Sequence, residues 1–261
     1  MTNKNPTLNL IEKRRSIRTY SPHNITQEEK DLIIQATFRA PTAGNMMLYS
    51  IIEIEDQTLK NRLAVTCDNQ PFIAKAPWVL LFLADYQRWF DYFVYCECER
   101  RCKELNQIYR KPEEGDLLLA CCDALIAAQT AVIAAESLGI GSCYLGDILE
   151  NYETHREILS LPPYVIPITL ICFGHPAKED ANIKQSSRFG RDFIIHKNAY
   201  KRLKSEDMEK MIQPFKERNF KDGKFPEGAE NIGQTFYLRK FIADFSVEMR
   251  RSVREMLKNW Y

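Results

Sequence analysis

Arg14-Arg15-Ser16-Ile17-Arg18 places three guanidinium groups and a hydroxyl within five residues. Planar, bidentate arginine donors match the geometry of a phosphate, and a neighbouring serine can complete the oxyanion's hydrogen bonds. The chain carries 36 Lys and Arg against 35 Asp and Glu, a formal net charge of +1. No general field therefore draws it to nucleic acid or an anionic membrane, and any anion site must be local. Taken alone, a basic run of this kind more often marks a solvated surface.

Other residue types offer less chemistry. Eight cysteines occur, and the opening residues Met1-Thr2-Asn3-Lys4-Asn5-Pro6 contain no apolar run of signal-peptide type, so reduced thiols and a cytoplasmic location are expected. Cys96, Cys98 and Cys102 form the one tempting metal set, but no C-x-x-C pair or nearby histidine completes it, and packing or incidental thiols are the preferred reading. His23, His155, His175 and His196 read as structural. No Ser-His-Asp or paired-carboxylate arrangement is recognisable.

The elements that must position the arginines follow from periodicity. Thr26-Gln27-Glu28-Glu29 is a capping box that starts a helix running to Pro41. Tyr49 to Glu55, Trp78 to Leu83 and Val165 to Phe173 are β-prone, with Pro167 a mark against a fully paired central position for the last. Helical patterns cover Gln57 to Val65, Asp116 to Leu138 closed by Gly139, and Glu153 to Leu159. The order is mixed α and β, without internal repeats or low-complexity segments. The Asp116 to Leu138 helix is apolar nearly all round, yet Asp123 and Glu136 interrupt it, so it reads as a core or subunit-interface helix rather than a membrane span. A homodimer is expected from it. After Gly174 come a polar stretch from Lys178 to Arg191, a helix near Glu206 to Lys216, and a loop from Asn219 to Gly233. A closing helix then carries Phe241, Ile242, Phe245, Met249, Val253, Leu257 and Trp260 on one face.

Several strings in order connect these elements: Arg-Arg-Ser-Ile-Arg (14 to 18), Ala-Pro-Thr-Ala-Gly-Asn (40 to 45), and Asn69-Gln70 before Ala76-Pro77. Glu-Ser-Leu-Gly-Ile-Gly (136 to 141) leads into Tyr144-Leu145-Gly146, and Leu161-Pro162-Pro163 precedes a strand ending in Gly174. In this order and spacing the chain resembles the FMN-dependent nitroreductase family. Arg188 and His196-Lys197-Asn198-Ala199-Tyr200 look like the tail of its larger, NADPH-flavin oxidoreductase-like branch. The resemblance implies an α+β fold, a mostly antiparallel sheet flanked by helices, in an interlocked homodimer with FMN sites built from both chains. It assigns residues 1–200 to the FMN-binding domain and 201–261 to a helical extension packing on that domain or on the partner subunit.

Carried over by position, Arg14, Arg15, Ser16 and Arg18 hold the flavin, with Arg188 joining at its phosphate and Arg18 at the N1 and O2 edge. A cation there favours reduced flavin. Pro41, Thr42, Ala43 and Asn45 lie against the partner subunit's flavin, Gln70 reaches the ring or ribityl chain, and Tyr144, Leu145, Gly146 and Asp147 cover the N5 side. Two departures stand out. Met47 replaces a glutamine common in relatives, leaving the ring edge to backbone groups or Asn45, and Ser186 replaces a lysine, with Lys184 or Arg191 as substitutes. The implied cycle is ping-pong, with NADH or NADPH as donor and nitroaromatics, quinones, azo dyes or free flavins as acceptors. Residues Asn219 to Arg239 are expected to cover the acceptor pocket or wrap the partner chain. Competing readings are a specialised flavin enzyme of dehalogenase or ene-reductase type, a non-enzymatic flavin-storage protein, and a Cys-rich metal or redox module.

Overall fold

The computed structural model describes residues 5–177, 185–220, 222–226 and 228–260. Residues 1–4, part of the polar stretch from Lys178, including Lys184, and Lys221 lie outside the described residues. The chain divides into two compact units, Met1–Ile183 with Glu248–Tyr261, and Lys184–Val247.

The first unit is built on four antiparallel strands, β1 (Tyr49–Glu53), β2 (Trp78–Asp85), β3 (Gly141–Leu145) and β4 (Val165–Gly174), in the order β1-β2-β4-β3. β2 is buried at every position and reads Trp-Val-Leu-Leu-Phe-Leu-Ala-Asp, the continuous apolar run of a strand covered on both faces. The helices are α1 (Pro6–Lys13), α2 (Gln27–Thr37), α3 (Gln57–Thr66), α4 (Phe72–Lys75), α5 (Gln87–Tyr95), α6 (Cys98–Glu104), α7 (Glu114–Ser137) and α8 (Tyr152–Ile158). The expected capping box opens α2: Glu29 N donates to Thr26 Oγ1 at 3.2 Å, and Thr26 N donates to Glu29 Oε2 at 2.8 Å.

Pro167 calls for a correction. β4 is a central strand, hydrogen-bonded to both β2 and β3. A bulge in the register between Phe82 and Leu83 accommodates the proline, and β3 pairs only Leu170 to Gly174. The missing N–H therefore falls where no ladder bond is required. β3 itself was not anticipated as a strand, because its glycines read as a helix stop and a turn.

The α7 helix spans 24 residues and is long and apolar enough to cross a membrane by composition alone. Its alanines Ala124, Ala127, Ala128, Ala131 and Ala135 are fully buried, packed with Trp78, Phe82 and Phe173 of the sheet, and Ala120 is buried beside Leu48 and Ala84. Small side chains let the helix axis approach the strands closely, which is the behaviour of a core helix. Leu118, Leu119, Leu125 and Ile126 on its other side are exposed in the single chain.

The second unit contains α9 (Ser205–Asn219) and α10 (Ile232–Phe236). The closing segment is not one helix. Tyr237–Phe241 form a π-helical turn, Ile242 and Ala243 make a bend, and α11 (Asp244–Lys258) starts afresh. Asp244 in the first turn complements the new helix's dipole. Phe241 and Ile242 are consequently exposed rather than aligned with the apolar face. In the first unit, Met256 and Trp260 are buried with Tyr164 and Ile166, and Trp260 Nε1 donates to Glu113 O at 3.1 Å.

Candidate functional site

The arginine segment runs along the β3 edge of the sheet. Ser16 bridges Ser142 in parallel fashion, and Ile17 N donates to Ser142 O at 2.9 Å. Further along, Ala177 N donates to Thr19 O at 3.1 Å and Ser21 N to His175 O at 2.8 Å. This close approach needs a glycine opposite. A Cβ on Gly141 would lie 2.5 Å from Ile17 Cγ1 and 2.9 Å from its Cβ, well inside van der Waals contact.

The segment's side chains converge on a small set of groups. Burial pushes the Cys143 thiol up, and Arg18, Ser16 and Arg14 pull it back. Burial likewise raises the Tyr144 phenol and the Glu136 carboxyl, opposed by Arg14 in the first case and by Arg14 and Arg15 in the second. Arg14, Ser16 and Arg18 thus lie close to Cys143, and Arg14 lies close to Tyr144 as well. Glu136, from the last turn of α7, is a partly buried counter-charge that sequence reasoning did not assign. Among the described residues, Arg15 Nε and Ser142 Oγ are buried atoms without a hydrogen-bond partner. Glu136 Oε1, an acceptor near the same arginines, is unpartnered as well; buried polar groups are rarely left unpaired, so this cluster is suited to taking a polar ligand. An anionic phosphate ester supplies acceptors for its donors.

Gln70 and Asp147 adjoin this edge. Gln70 Nε2 donates to Asp147 Oδ2 at 2.7 Å, and Arg18 lies over the Phe72 ring at 5.7 Å. Gly146 is exposed at the end of β3 and opens the short turn Asp147–Leu149. Behind that turn Glu150 is buried, with Oε1 unpartnered among the described residues. Burial, then repulsion from Asp147, Asp68 and Glu248, pushes its carboxyl up to about 7. His155 nearby is held by Ile148 O at 3.0 Å and Thr66 Oγ1 at 2.8 Å, and burial lowers its pKa, a structural arrangement. Burial also raises the Cys67 and Cys172 thiols, so they make poor nucleophiles. No group of three or more metal-ligating side chains occurs among the described residues.

The loop carrying Pro41, Thr42, Ala43 and Asn45 leads into β1, the opposite edge of the sheet from the arginines. Its path is unusual. Gly44, Asn45 and Met47 all take positive φ, of 56°, 57° and 51°, which is costly for methionine and must be enforced by surrounding contacts. Asp123 does much of this. The carboxylate, only 2 % exposed in α7, accepts from Ala43 N at 2.9 Å and Leu48 N at 3.0 Å. Thr42 Oγ1 accepts from Met47 N at 3.2 Å. From α5, Arg88 Nη2 donates to Met47 O at 2.6 Å and Tyr49 O at 2.9 Å, while Trp89 Nε1 donates to Met46 O at 2.6 Å. Neither Asp123 nor Arg88 was picked out as a site residue. A carboxylate within an apolar helix was the available signal, since a buried charge needs donors.

Arg188 belongs to the second unit, where its Nη1 donates to Ser186 O at 3.4 Å and Ser187 O at 3.2 Å.

Residues 11–175 match the model of the nitroreductase family. The chain belongs to this family. A Bacillus subtilis FMN reductase [NAD(P)H] is 31 % identical over 216 residues, covering 82 % of this chain and 81 % of that protein. The NADPH-flavin oxidoreductase of Vibrio harveyi is 30 % identical, covering 80 % of each chain. Among solved structures, one from Bacteroides fragilis superposes with a TM-score of 0.82 at 30 % identity, covering 97 % of this chain and 98 % of that one. NfrA2 of B. megaterium gives 0.76 at 26 % identity, covering 98 % of each. The antiparallel sheet flanked by helices is therefore the nitroreductase fold anticipated from the motifs.

Proposed function

We propose that this nitroreductase-family chain is an FMN-dependent oxidoreductase of the cytoplasm, which uses NADH or NADPH to reduce flat, electron-poor acceptors such as nitroaromatics, quinones and flavins. The observation that carries the reading is the arginine segment stitched to β3, with the buried donor Arg15 Nε and the buried Ser142 hydroxyl left without partners among the described residues. Those groups fit a flavin mononucleotide phosphate, whose near-double charge a chain of net +1 can meet only with clustered cations.

FMN, when bound, supplies the two-electron chemistry between nicotinamide and acceptor. The chain's task is to hold and bias it. Arg14 and Arg15 would neutralise its phosphate, and Ser16 would add a hydroxyl. Arg18, exposed above Phe72, would supply positive charge that favours the reduced ring. The turn at Gly146 and Asp147, steadied by the Gln70 to Asp147 hydrogen bond, would offer backbone amides to the ring.

The loop bearing Pro41, Thr42, Ala43 and Asn45 lies at the other sheet edge, so its contribution comes from a second copy of the chain. Exposed Leu118, Leu119, Leu125 and Ile126 on α7 supply an apolar surface for that partner. The homodimer is thus part of the proposal, with each site drawing residues from both chains.

Replacing Arg14 and Arg15 together with alanine should raise the FMN dissociation constant by about 100-fold or more, since each charge-assisted bond contributes about 1.5–3 kcal/mol. Recovery of free-flavin fluorescence on dilution measures it. Unchanged retention would remove these residues from the site.

A further inference from the structure

We infer that Glu150 is a positioning residue for the ring-facing turn, fixing Gly146 and Asp147 through a carboxyl pair with Asp147 in which the two side chains share one proton. The inference rests on the proposed reading for what that turn faces. Its geometry is that of the chain alone.

Two amide side chains stitch the turn to the end of α3. Gln70 Nε2 donates to Asp147 Oδ2 at 2.7 Å and to Cys67 O at 3.2 Å, and Asn151 Nδ2 donates to Thr66 O at 2.8 Å. Within the turn, Leu149 N donates to Gly146 O and Glu150 N to Asp147 O, each at 3.0 Å. Glu150 lies between the two stitched residues in sequence. It is 4 % exposed, its Oε1 has no partner among the described residues, and Asp147 is its side-chain hydrogen-bond partner. A hydrogen bond between two carboxyls needs a proton on one of them, and two carboxylates in contact repel strongly. Gln70 already donates to Asp147, so the proton belongs on Glu150, whose O–H donates to Asp147 and completes the clamp.

Among the described residues no ion pair reaches Glu150 to take that proton's place. The charged groups around it are Asp147 on its own turn, Asp68 at the end of α3 and Glu248 on α11. Arg251 of α11 is engaged by Glu153 at 2.7 Å and Glu248 at 2.8 Å, and it holds the Glu248 carboxyl well below the usual carboxylate range. On α8, the ring nitrogens of His155 meet Ile148 O and Thr66 Oγ1, and burial lowers its pKa. The Cys67 thiol is raised, by burial first and then by Asp147 and Glu150. Burial and the acidic neighbours bring the Glu150 carboxyl to about 7. The clamp is therefore closed below neutral pH and opens above it, where repulsion between two carboxylates replaces a hydrogen bond.

The FMN dissociation constant, read from free-flavin fluorescence across pH, tests the clamp. Glu150→Gln offers an amide N–H to Asp147 at every pH. The ratio of the wild-type constant to that of Glu150→Gln cancels the ionisation of the FMN phosphate itself, at about pH 6. It should be near one at about pH 5.5 and rise to about tenfold at about pH 8.5, the effect of losing one hydrogen bond to a charged group. Glu150→Leu, which has no donor, should raise the constant about tenfold already at about pH 5.5. Hydrogen exchange in the full chain without flavin gives a second readout. Protection of the amides at positions 149 and 150 should fall above neutral pH in the wild type and hold steady in Glu150→Gln, once the base catalysis common to both is divided out. A ratio that stays at one across the range, or protection that is the same in both proteins, overturns the inference and leaves the proposed function standing. So does Glu150→Leu that retains FMN as tightly as the wild type. A protein that takes up no FMN at any pH contradicts the proposed function, and the exchange measurement alone then decides whether Glu150 clamps the turn.

Discussion

Asp123→Ala should destabilise the protein by about 3–5 kcal/mol, because it strips two buried backbone amides of a charged acceptor. Ala43 N and Leu48 N both point at this carboxylate, and both bracket the stretch in which Gly44, Asn45 and Met47 hold positive φ. Without the acceptor, only the bonds from Thr42, Arg88 and Trp89 remain to hold a conformation costly for Met47. The loss should register as a lower urea midpoint at unchanged m-value. Asp123→Asn, which keeps one carbonyl acceptor but turns an amide donor toward a second N–H, should fall between wild type and alanine. A variant within 1 kcal/mol of wild type, below the low end of what removing even one such acceptor costs, would show that Asp123 is not what holds the loop. Because the loop is proposed to complete the partner's site, FMN affinity should fall as well.

Glu150→Gln should do the opposite, raising stability above neutral pH. Burial, with Asp147, Asp68 and Glu248 nearby, lifts this carboxyl from 4.5 to about 7 in the folded protein. Unfolded chain ionises near 4.5, so between that pH and 7 the folded state binds the extra proton and its stability falls as pH rises. Below about 4.5 both states are protonated and no penalty exists. Above about 7 the penalty is complete, at about 1.4 kcal/mol per pH unit of displacement, and relaxation of the surroundings brings the expected total to about 2 kcal/mol. Glutamine retains the shape without the charge. Denaturation curves for the two proteins should coincide near pH 4 and separate by that amount at pH 8. Parallel curves at every pH would place the ionisation of Glu150 elsewhere.

Much of this architecture was legible from residue order. The capping box at Thr26, the three apolar strands, the α7 helix and the arginine string are all local signals, and the motifs together pointed to the nitroreductase fold. What escaped were features set by tertiary context. β3 was hidden because Gly141 reads as a turn until Ile17 is seen to occupy the space of its missing side chain. Pro167 argued against a central strand until the bulge opposite Phe82 and Leu83 removed its hydrogen-bonding obligation. α5 and α6 went unassigned, although α5 holds the Met46 and Met47 carbonyls. Glu136 and Asp123 looked like interruptions in an apolar stretch. The groups they meet lie far away in the chain, at Arg14 for Glu136 and at Ala43 and Leu48 for Asp123, and no periodicity reports a pairing of that range.

The central claim is that this chain holds FMN and passes electrons from reduced nicotinamide through it. Anaerobic titration of the purified, FMN-loaded protein with NADPH, and separately with NADH, tests it most directly. The account predicts that at least one donor bleaches the flavin absorbance stoichiometrically and that adding a quinone restores it. A protein that does not take up FMN, or whose bound flavin stays yellow with both donors, would contradict the account.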